Sequence, residues 1–239
     1  MQKHSPDWFN HWNSIPAKLD ESDYLRQVGK TVGGYPISPE RVDALIHDIV
    51  SRLQLNGSDS VLDLCCGNGF ITFRCAKFCR SIIGVDYSSA LIKIARSRFH
   101  GENVSYLLAD VCALPDSLAL HNFTKMYMYE ALQHLNPEQV KKMLFALTGP
   151  GFSKAKIYIA SIPDKGRIWD FYNTSERREE YHRRIAQGTE AIGYWWEQAE
   201  LQVIAEQCGY QCEFFPQNPV LHTAHYRFDA LLQPISISA

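Results

Sequence analysis

Between Ser60 and Phe70 the chain reads S-V-L-D-L-C-C-G-N-G-F. An apolar run carrying one carboxylate stops abruptly at two glycines, and a helical pattern follows. That order describes a buried parallel strand, a tight turn and a helix start. Gly67 and Gly69 permit positive φ and let the main chain approach a ligand that a Cβ would push away. The helix behind them aims its unpaired N–H groups at the same place. A chain with this unit is committed to an α/β sheet with a nucleotide-type binding turn at a strand's carboxyl end.

The wording of the turn separates two ligand classes. Dinucleotide folds use G-x-G-x-x-G, in which the third glycine keeps helix close to strand. Here Thr72 stands at that third position and Asp63 lies inside the strand, and both disfavour a nicotinamide cofactor. The carboxylate pattern then repeats. Ser81 to Asp86 reads as a second buried strand, ending 23 residues after Asp63. A third, Val104 to Ala109, ends at Asp110 and Val111. One strand–helix–strand unit separates each from the next, so the carboxylates stand at the carboxyl ends of neighbouring parallel strands, where open α/β sheets bind ligands. Asp86 is placed to accept both hydroxyls of a ribose, and Tyr87 beside it offers a ring to an adenine face.

V-L-D-L-C-C-G-N-G resembles the first motif of class I S-adenosylmethionine (SAM) methyltransferases, V-L-D-L-G-C-G-x-G, with Cys65 replacing the first glycine. The resemblance covers roughly Ser38 to Leu232 and fades in the second half. It implies an α/β fold: a Rossmann-like, seven-stranded, mostly parallel sheet with helices on both faces and a C-terminal antiparallel strand pair. It also implies cofactor contacts. Asp63, Cys65, Gly67 and Gly69 would serve the methionine part and the loop, Asp86 and Tyr87 the ribose and adenine, and Asp110 and Val111 the adenine. Tyr24, Lys30 and Tyr129 complete that set. One domain spans 1–239, with 1–37 as a lid segment and 165–196 as an insertion covering the substrate.

A fourth strand, Phe123 to Tyr129, leads to a loop containing His134. In the family this loop lies beside the reacting methyl, so His134 is the candidate general base, its ordinary pKa lying near neutrality. A loop histidine that only bonds to backbone is the competing reading, because SAM is reactive enough for alignment alone to suffice. A fifth strand, Ala155 to Ala160, is followed by an aromatic and arginine-rich stretch, Lys165 to Trp196. Arg167, Trp169, Tyr172 and Trp195 are its candidate substrate contacts, since arginine forks pair with phosphate. For Arg177 to Arg184 a salt-bridged surface helix is the plainer reading. The phrases Gln27-Val28-Gly29-Lys30-Thr31, Ile162-Pro163-Asp164 and His225-Tyr226-Arg227-Phe228-Asp229 resemble bacterial methyltransferases of surface-sugar biosynthesis. They point to O-methylation of a sugar, sugar phosphate or nucleotide-linked acceptor.

Composition narrows the alternatives. With 239 residues, 46% hydrophobic and a net charge of −2, the chain suits one sizeable core and argues against binding nucleic acid. Neither a signal peptide nor a membrane-spanning run is apparent. The seven cysteines form no C-x-x-C pair and read as reduced core residues of a cytoplasmic protein. His222 and His225 lack a third ligand, so no metal is expected. Two other functions stay open: a catalytically silent SAM- or nucleotide-binding partner, and an NAD(P)-dependent oxidoreductase. Oligomeric state is not legible here.

Overall fold

A computed structural model of the chain describes residues 7–20 and 22–235. The leading segment holds α1 (Trp8–Ser14), α2 (Tyr24–Gln27) and a small hairpin of β1 (Thr31–Val32) and β2 (Tyr35–Pro36). Residues 1–6 and 21 of the expected lid lie outside the described residues. Then α3 (Pro39–Leu53) starts where Ser38 and Pro39 predict, the Ser38 hydroxyl accepting from the Arg41 N–H. It stops at Gln54, whose φ is 53°.

Alternating units follow: β3 (Ser60–Leu64), α4 (Phe70–Ala76), β4 (Ser81–Asp86), α5 (Ser89–Arg98), β5 (Val104–Leu108), β6 (Lys125–Tyr129), α6 (Pro137–Ala146) and β7 (Lys156–Pro163). The stretch after β7 forms α7 (Ile168–Phe171) and α8 (Ser175–Gln187), and the chain closes with α9 (Gln198–Gln207), β8 (Tyr210–Pro216) and β9 (Arg227–Pro234). Strand β7 runs past Ala160, bulging between Ile159 and Ile162. Helix α8 is the salt-bridged surface helix: it buries no residue, and Glu180 pairs with Arg183 and Arg184.

The seven-stranded sheet has the order β5-β4-β3-β6-β7-β9-β8. Its first five strands are parallel, and β9 runs antiparallel to both β7 and β8. This is the Rossmann-like arrangement that the methyltransferase resemblance implies. Alternate side chains enter opposite layers. Leu62, Leu64, Met126, Met128, Ile157 and Ile159 pack with α6 and α9, while Val61, Ile82, Tyr127 and Tyr158 pack with α3 and α4. The chain leaves β3 toward β4 on one side and returns to β6 on the other, so the order reverses at β3. In such sheets that reversal opens a crevice at the carboxyl ends.

Candidate active site

A cleft of about 610 Å³ lies at that reversal. Its floor starts at the turn after β3. Cys65 takes φ 62°, the left-handed conformation that a glycine usually occupies, and Gly67 and Gly69 follow at 57° and 79°. The two glycines have different reasons. A Cβ at Gly67 would stand 2.9 Å from Cγ1 of Val28 in the leading segment, whereas one at Gly69 would strike the Tyr106 ring at 2.7 Å. Gly69 therefore makes room for a core aromatic rather than for a ligand.

Asp86 holds this turn in place. Its Oδ2 accepts from the Gly67 N–H at 2.9 Å and its Oδ1 from the Ser88 N–H at 2.8 Å. Burial raises its pKa, and these two amides draw it back. Asp86, Tyr87, Asp110 and Val111 all line the cleft, as do Cys65 and Gly67. Asp110 also accepts from the Cys112 N–H at 2.8 Å, which fixes its carboxylate. The edge formed by β4 and β5 thus presents two oriented carboxylates and an aromatic ring, a set that fits the hydroxyls, amino group and face of an adenosine.

Asp63 sits elsewhere. It is 2% exposed, beneath the turn and outside the cleft wall. Its Oδ2 accepts from Thr72 Oγ1 at 2.6 Å and from the Tyr127 hydroxyl at 2.7 Å. Burial lifts its pKa to about 7 against the pull of those two bonds. Thr72, the residue that departs from the dinucleotide pattern, is thus the anchor joining helix α4 to strand β3.

The leading segment covers the cleft. The Tyr87 hydroxyl donates to the Trp8 carbonyl and the Ser88 hydroxyl to the Trp12 carbonyl, each at 3.0 Å. Phe9 stacks on Tyr87 with centroids 5.7 Å apart. Tyr24 does not line the cleft; its ring packs on Phe70 and Phe99, and its carbonyl accepts from the Asn68 amide. Trp8 and Trp12 lie against His134, at 4.2 and 5.5 Å between ring centroids. Burial, with Arg227 adding to it, lowers His134 to about 3, so its imidazole is neutral at physiological pH. A base that weak takes a proton from a hydroxyl poorly, and these surroundings do not favour the general-base reading of His134.

Lys30, Tyr129 and Glu130 line the cleft and belong to a charged cluster that Arg227 completes from outside the lining. Lys30 Nζ is 2.5 Å from Oε2 of Glu130 and 4.5 Å from the centre of the Tyr129 ring. Arg227 Nη2 stands 3.6 Å from the other Glu130 oxygen, and its Nη1 donates to the Ser161 carbonyl at 2.5 Å. Burial alone would raise the Glu130 carboxyl; the two cations instead hold it at about 2. Sequence reasoning named Lys30 and Tyr129 as cofactor contacts and Arg227 only within the His225 to Asp229 phrase, and it did not name Glu130 as a site residue. The available signal was Glu130 itself, a carboxylate directly after a fourth parallel strand.

The four expected substrate residues do not line this cleft. Arg167 is solvent-exposed beside Asp164, and Trp169 is 43% exposed. Tyr172 and Trp195 are buried with Tyr226 in an aromatic cluster of their own, where the Tyr172 hydroxyl donates to Glu190. The stretch forms a small satellite core because its aromatics bury one another. Among the described residues, no three His, Cys, Asp or Glu side chains could hold a metal ion, and no helix is long and apolar enough to cross a membrane.

Comparison with known proteins gives this geometry a context. Residues 61–148 match the family model of a methyltransferase domain. The ubiquinone biosynthesis O-methyltransferase of Coxiella burnetii is 28% identical over 143 residues, covering 59% of this chain and 57% of that protein. Across the curated relatives it matches, the chain spans between 21% and 57% of their length. Among solved structures, a SAM-dependent methyltransferase from Anabaena variabilis superposes with a TM-score of 0.63 at 18% identity, covering 98% of both chains. The magnesium protoporphyrin IX methyltransferase of Synechocystis, crystallised with bound S-adenosylhomocysteine, gives 0.57 at 17% identity, covering 96% of this chain and 94% of that one. The fold is therefore shared with SAM-dependent methyltransferases over its whole described length.

Proposed function

We propose that this chain is a SAM-dependent methyltransferase acting on an oxygen of a small-molecule acceptor. One observation carries the reading: Asp86 ties the Gly67 turn in place at one strand end while Asp110 stands fixed at the next, both on the cleft wall. In this assignment Asp86 takes the ribose, Tyr87 and Asp110 with Val111 take the adenine, and Cys65 and Gly67 border the methionine part. Asp63 and Gly69 shape the turn from beneath. Bound SAM supplies an activated methyl on a sulfonium. The protein aligns the acceptor with it, under Trp8 and Trp12, and keeps water out. His134, held neutral, borders the acceptor end and offers a hydrogen bond rather than a base.

The whole chain serves as one domain, with the leading residues as a lid and the 165–196 stretch as a buttress behind the charged cluster. Sugars, sugar phosphates and nucleotide-linked sugars are the acceptor class the sequence favours. Calorimetric titration with S-adenosylhomocysteine, beside NAD as a control, tests the cofactor. Micromolar binding of the first and none of the second is expected. Binding of NAD alone would transfer the chain to the oxidoreductases. Binding of the homocysteine form with no methyl transfer to any extract would favour a silent binding partner.

A further inference from the structure

The charge count at the acceptor end of the cleft is unequal. Lys30 and Arg227 are 6% and 3% exposed, and among the described residues the carboxylate that pairs with both is Glu130. Nearby Asp229 is engaged elsewhere, by the Tyr158 hydroxyl at 2.7 Å and the Ser161 N–H at 2.8 Å. His222, close enough to interact with Glu130, is pushed toward its neutral form by burial. The ion pairs of the cluster therefore set two cationic side chains against one carboxylate, Asp63, the further carboxylate that feels Lys30, being pushed toward its neutral form by burial. An uncompensated buried charge is costly. Arg227 Nε is buried without a hydrogen-bond partner among the described residues, while the guanidinium also interacts with Tyr226 and stands behind Glu130, outside the cleft lining. Lys30 lines the cleft and has three N–H donors, of which Glu130 accepts one.

We infer that the Lys30–Glu130–Arg227 cluster is a subsite for an acceptor carboxylate, which reaches the cleft already ionised. This rests on the methyltransferase reading and sharpens it. A bound sulfonium would add a further positive charge to the cleft, making an anionic nucleophile more favourable still. The chemistry also balances without a base. A carboxylate oxygen forms a bond to the methyl carbon, the carbon–sulfur bond breaks with its electron pair passing to sulfur, and no proton moves. The products are a methyl ester and the neutral thioether. A neutral hydroxyl would instead need a proton acceptor. Asp86 and Asp110 are engaged by backbone amides and in this assignment hold the adenosine, which leaves Glu130 held at about 2 and His134 at about 3. Sugar acids fall within this class, and free sugars do not.

The test uses the full chain loaded with S-adenosylhomocysteine, titrated calorimetrically with benzoate, inorganic phosphate and benzyl alcohol. Benzoate should bind at least about tenfold more tightly than benzyl alcohol, a gap worth one unit in log Kd. Lys30→Met should weaken benzoate by about tenfold or more. Glu130→Gln should tighten it, because Lys30 on the cleft wall is then free for the ligand and no carboxylate repels it. That opposite response separates a charge-reading subsite from a merely structural pair. Equal binding of acid and alcohol, no benzoate binding, indifference to Lys30→Met, or weaker binding in Glu130→Gln would overturn the inference. Tighter phosphate than benzoate would overturn it in favour of a phosphate subsite. Failure to load S-adenosylhomocysteine would instead defeat the methyltransferase reading itself. A parallel assay supplies methyl-tritiated SAM with a small-molecule extract. Label released as volatile methanol by mild alkali supports the ester, and alkali-stable label refutes it.

Discussion

Asp63→Asn isolates the most deeply buried carboxylate of the site. Burial lifts the Asp63 pKa to about 7 despite bonds from Thr72 and Tyr127, roughly three units above an ordinary aspartate. A group whose folded pKa exceeds its unfolded value contributes stability fully below the unfolded pKa and loses it as pH rises through the folded one. Between pH 5 and pH 8 the linked loss is about 2–3 kcal/mol, or roughly 5–10 °C in Tm for a chain of this size. Both hydroxyls donate to one Asp63 oxygen, an acceptor that asparagine keeps with two lone pairs, and asparagine does not titrate. Urea unfolding of wild type and Asp63→Asn at pH 5, 6, 7 and 8 reads the difference. The wild-type advantage should be largest at pH 5 and shrink steadily toward pH 8. Asp229, raised by burial to about 6, and Asp86, also raised, act with the same sign but titrate in both proteins and cancel. A difference that stays flat, or grows with pH, would refute the reasoning. It would mean that Asp63 is ionised throughout and that its two hydroxyl donors outweigh its burial.

Three further outcomes follow from the same geometry. Asp86→Asn should weaken S-adenosylhomocysteine by at least about tenfold in calorimetry, and should cost about 1–2 kcal/mol in urea because one of the two backbone amides loses its acceptor. Cys65→Gly should stabilise by up to about 1–2 kcal/mol by relieving the left-handed penalty at φ 62°, whereas Cys65→Val should destabilise because a β-branched side chain is disfavoured there; equal unfolding midpoints for the pair would contradict the strain. Lys30→Met should lower stability by about 2 kcal/mol at neutral pH by half-stripping Glu130. Since Glu130 is held at about 2, its contribution is present above the unfolded carboxyl pKa and is lost as pH falls toward the folded one. The penalty of Lys30→Met should therefore fade as unfolding is followed from pH 6 down to pH 3.

The sheet was legible because its signals are local. An apolar run, a terminal carboxylate and a glycine turn lie within eleven residues of one another, and Ser38-Pro39 and Asn136-Pro137 mark helix starts at the positions found. The placement of Asp86 and Asp110 at the ends of neighbouring strands was legible for the same reason. Glu130 was harder, since its meaning depends on Lys30, 100 residues earlier, and on Arg227, which arrives from an antiparallel strand near the other end of the chain. No local pattern encodes that meeting. Gly69 was assigned to the ligand because sequence shows that a Cβ is absent without showing what would meet it, and Tyr106 does. The aromatic run after β7 misled in a related way. Composition reveals rings and guanidinium groups but not which way they face, and Tyr172 and Trp195 face each other's cluster.

Strain is distributed in a way that supports the placement of chemistry. Cys65, Glu130 and Ser161 are non-glycine residues at φ 62°, 55° and 63°. They stand at or near the carboxyl ends of β3, β6 and β7, three adjacent strands. Left-handed backbone costs an L-residue on the order of 1–2 kcal/mol, so each must be held by something stronger. At Cys65 the next amide donates to the Val85 carbonyl, and the chain then turns Gly67 onto Asp86. At Glu130 the amide donates to Ala160, and the side chain joins Lys30 and Arg227. At Ser161 the amide donates to Asp229 while the carbonyl accepts from Arg227. In all three, an unfavourable turn is exchanged for bonds that aim polar groups at one edge of the sheet or brace them from behind. Packing alone would favour straight strand ends there. The same edge carries the cleft, and strained backbone held by charge is expected where a site must be preorganised rather than where a core must merely be filled.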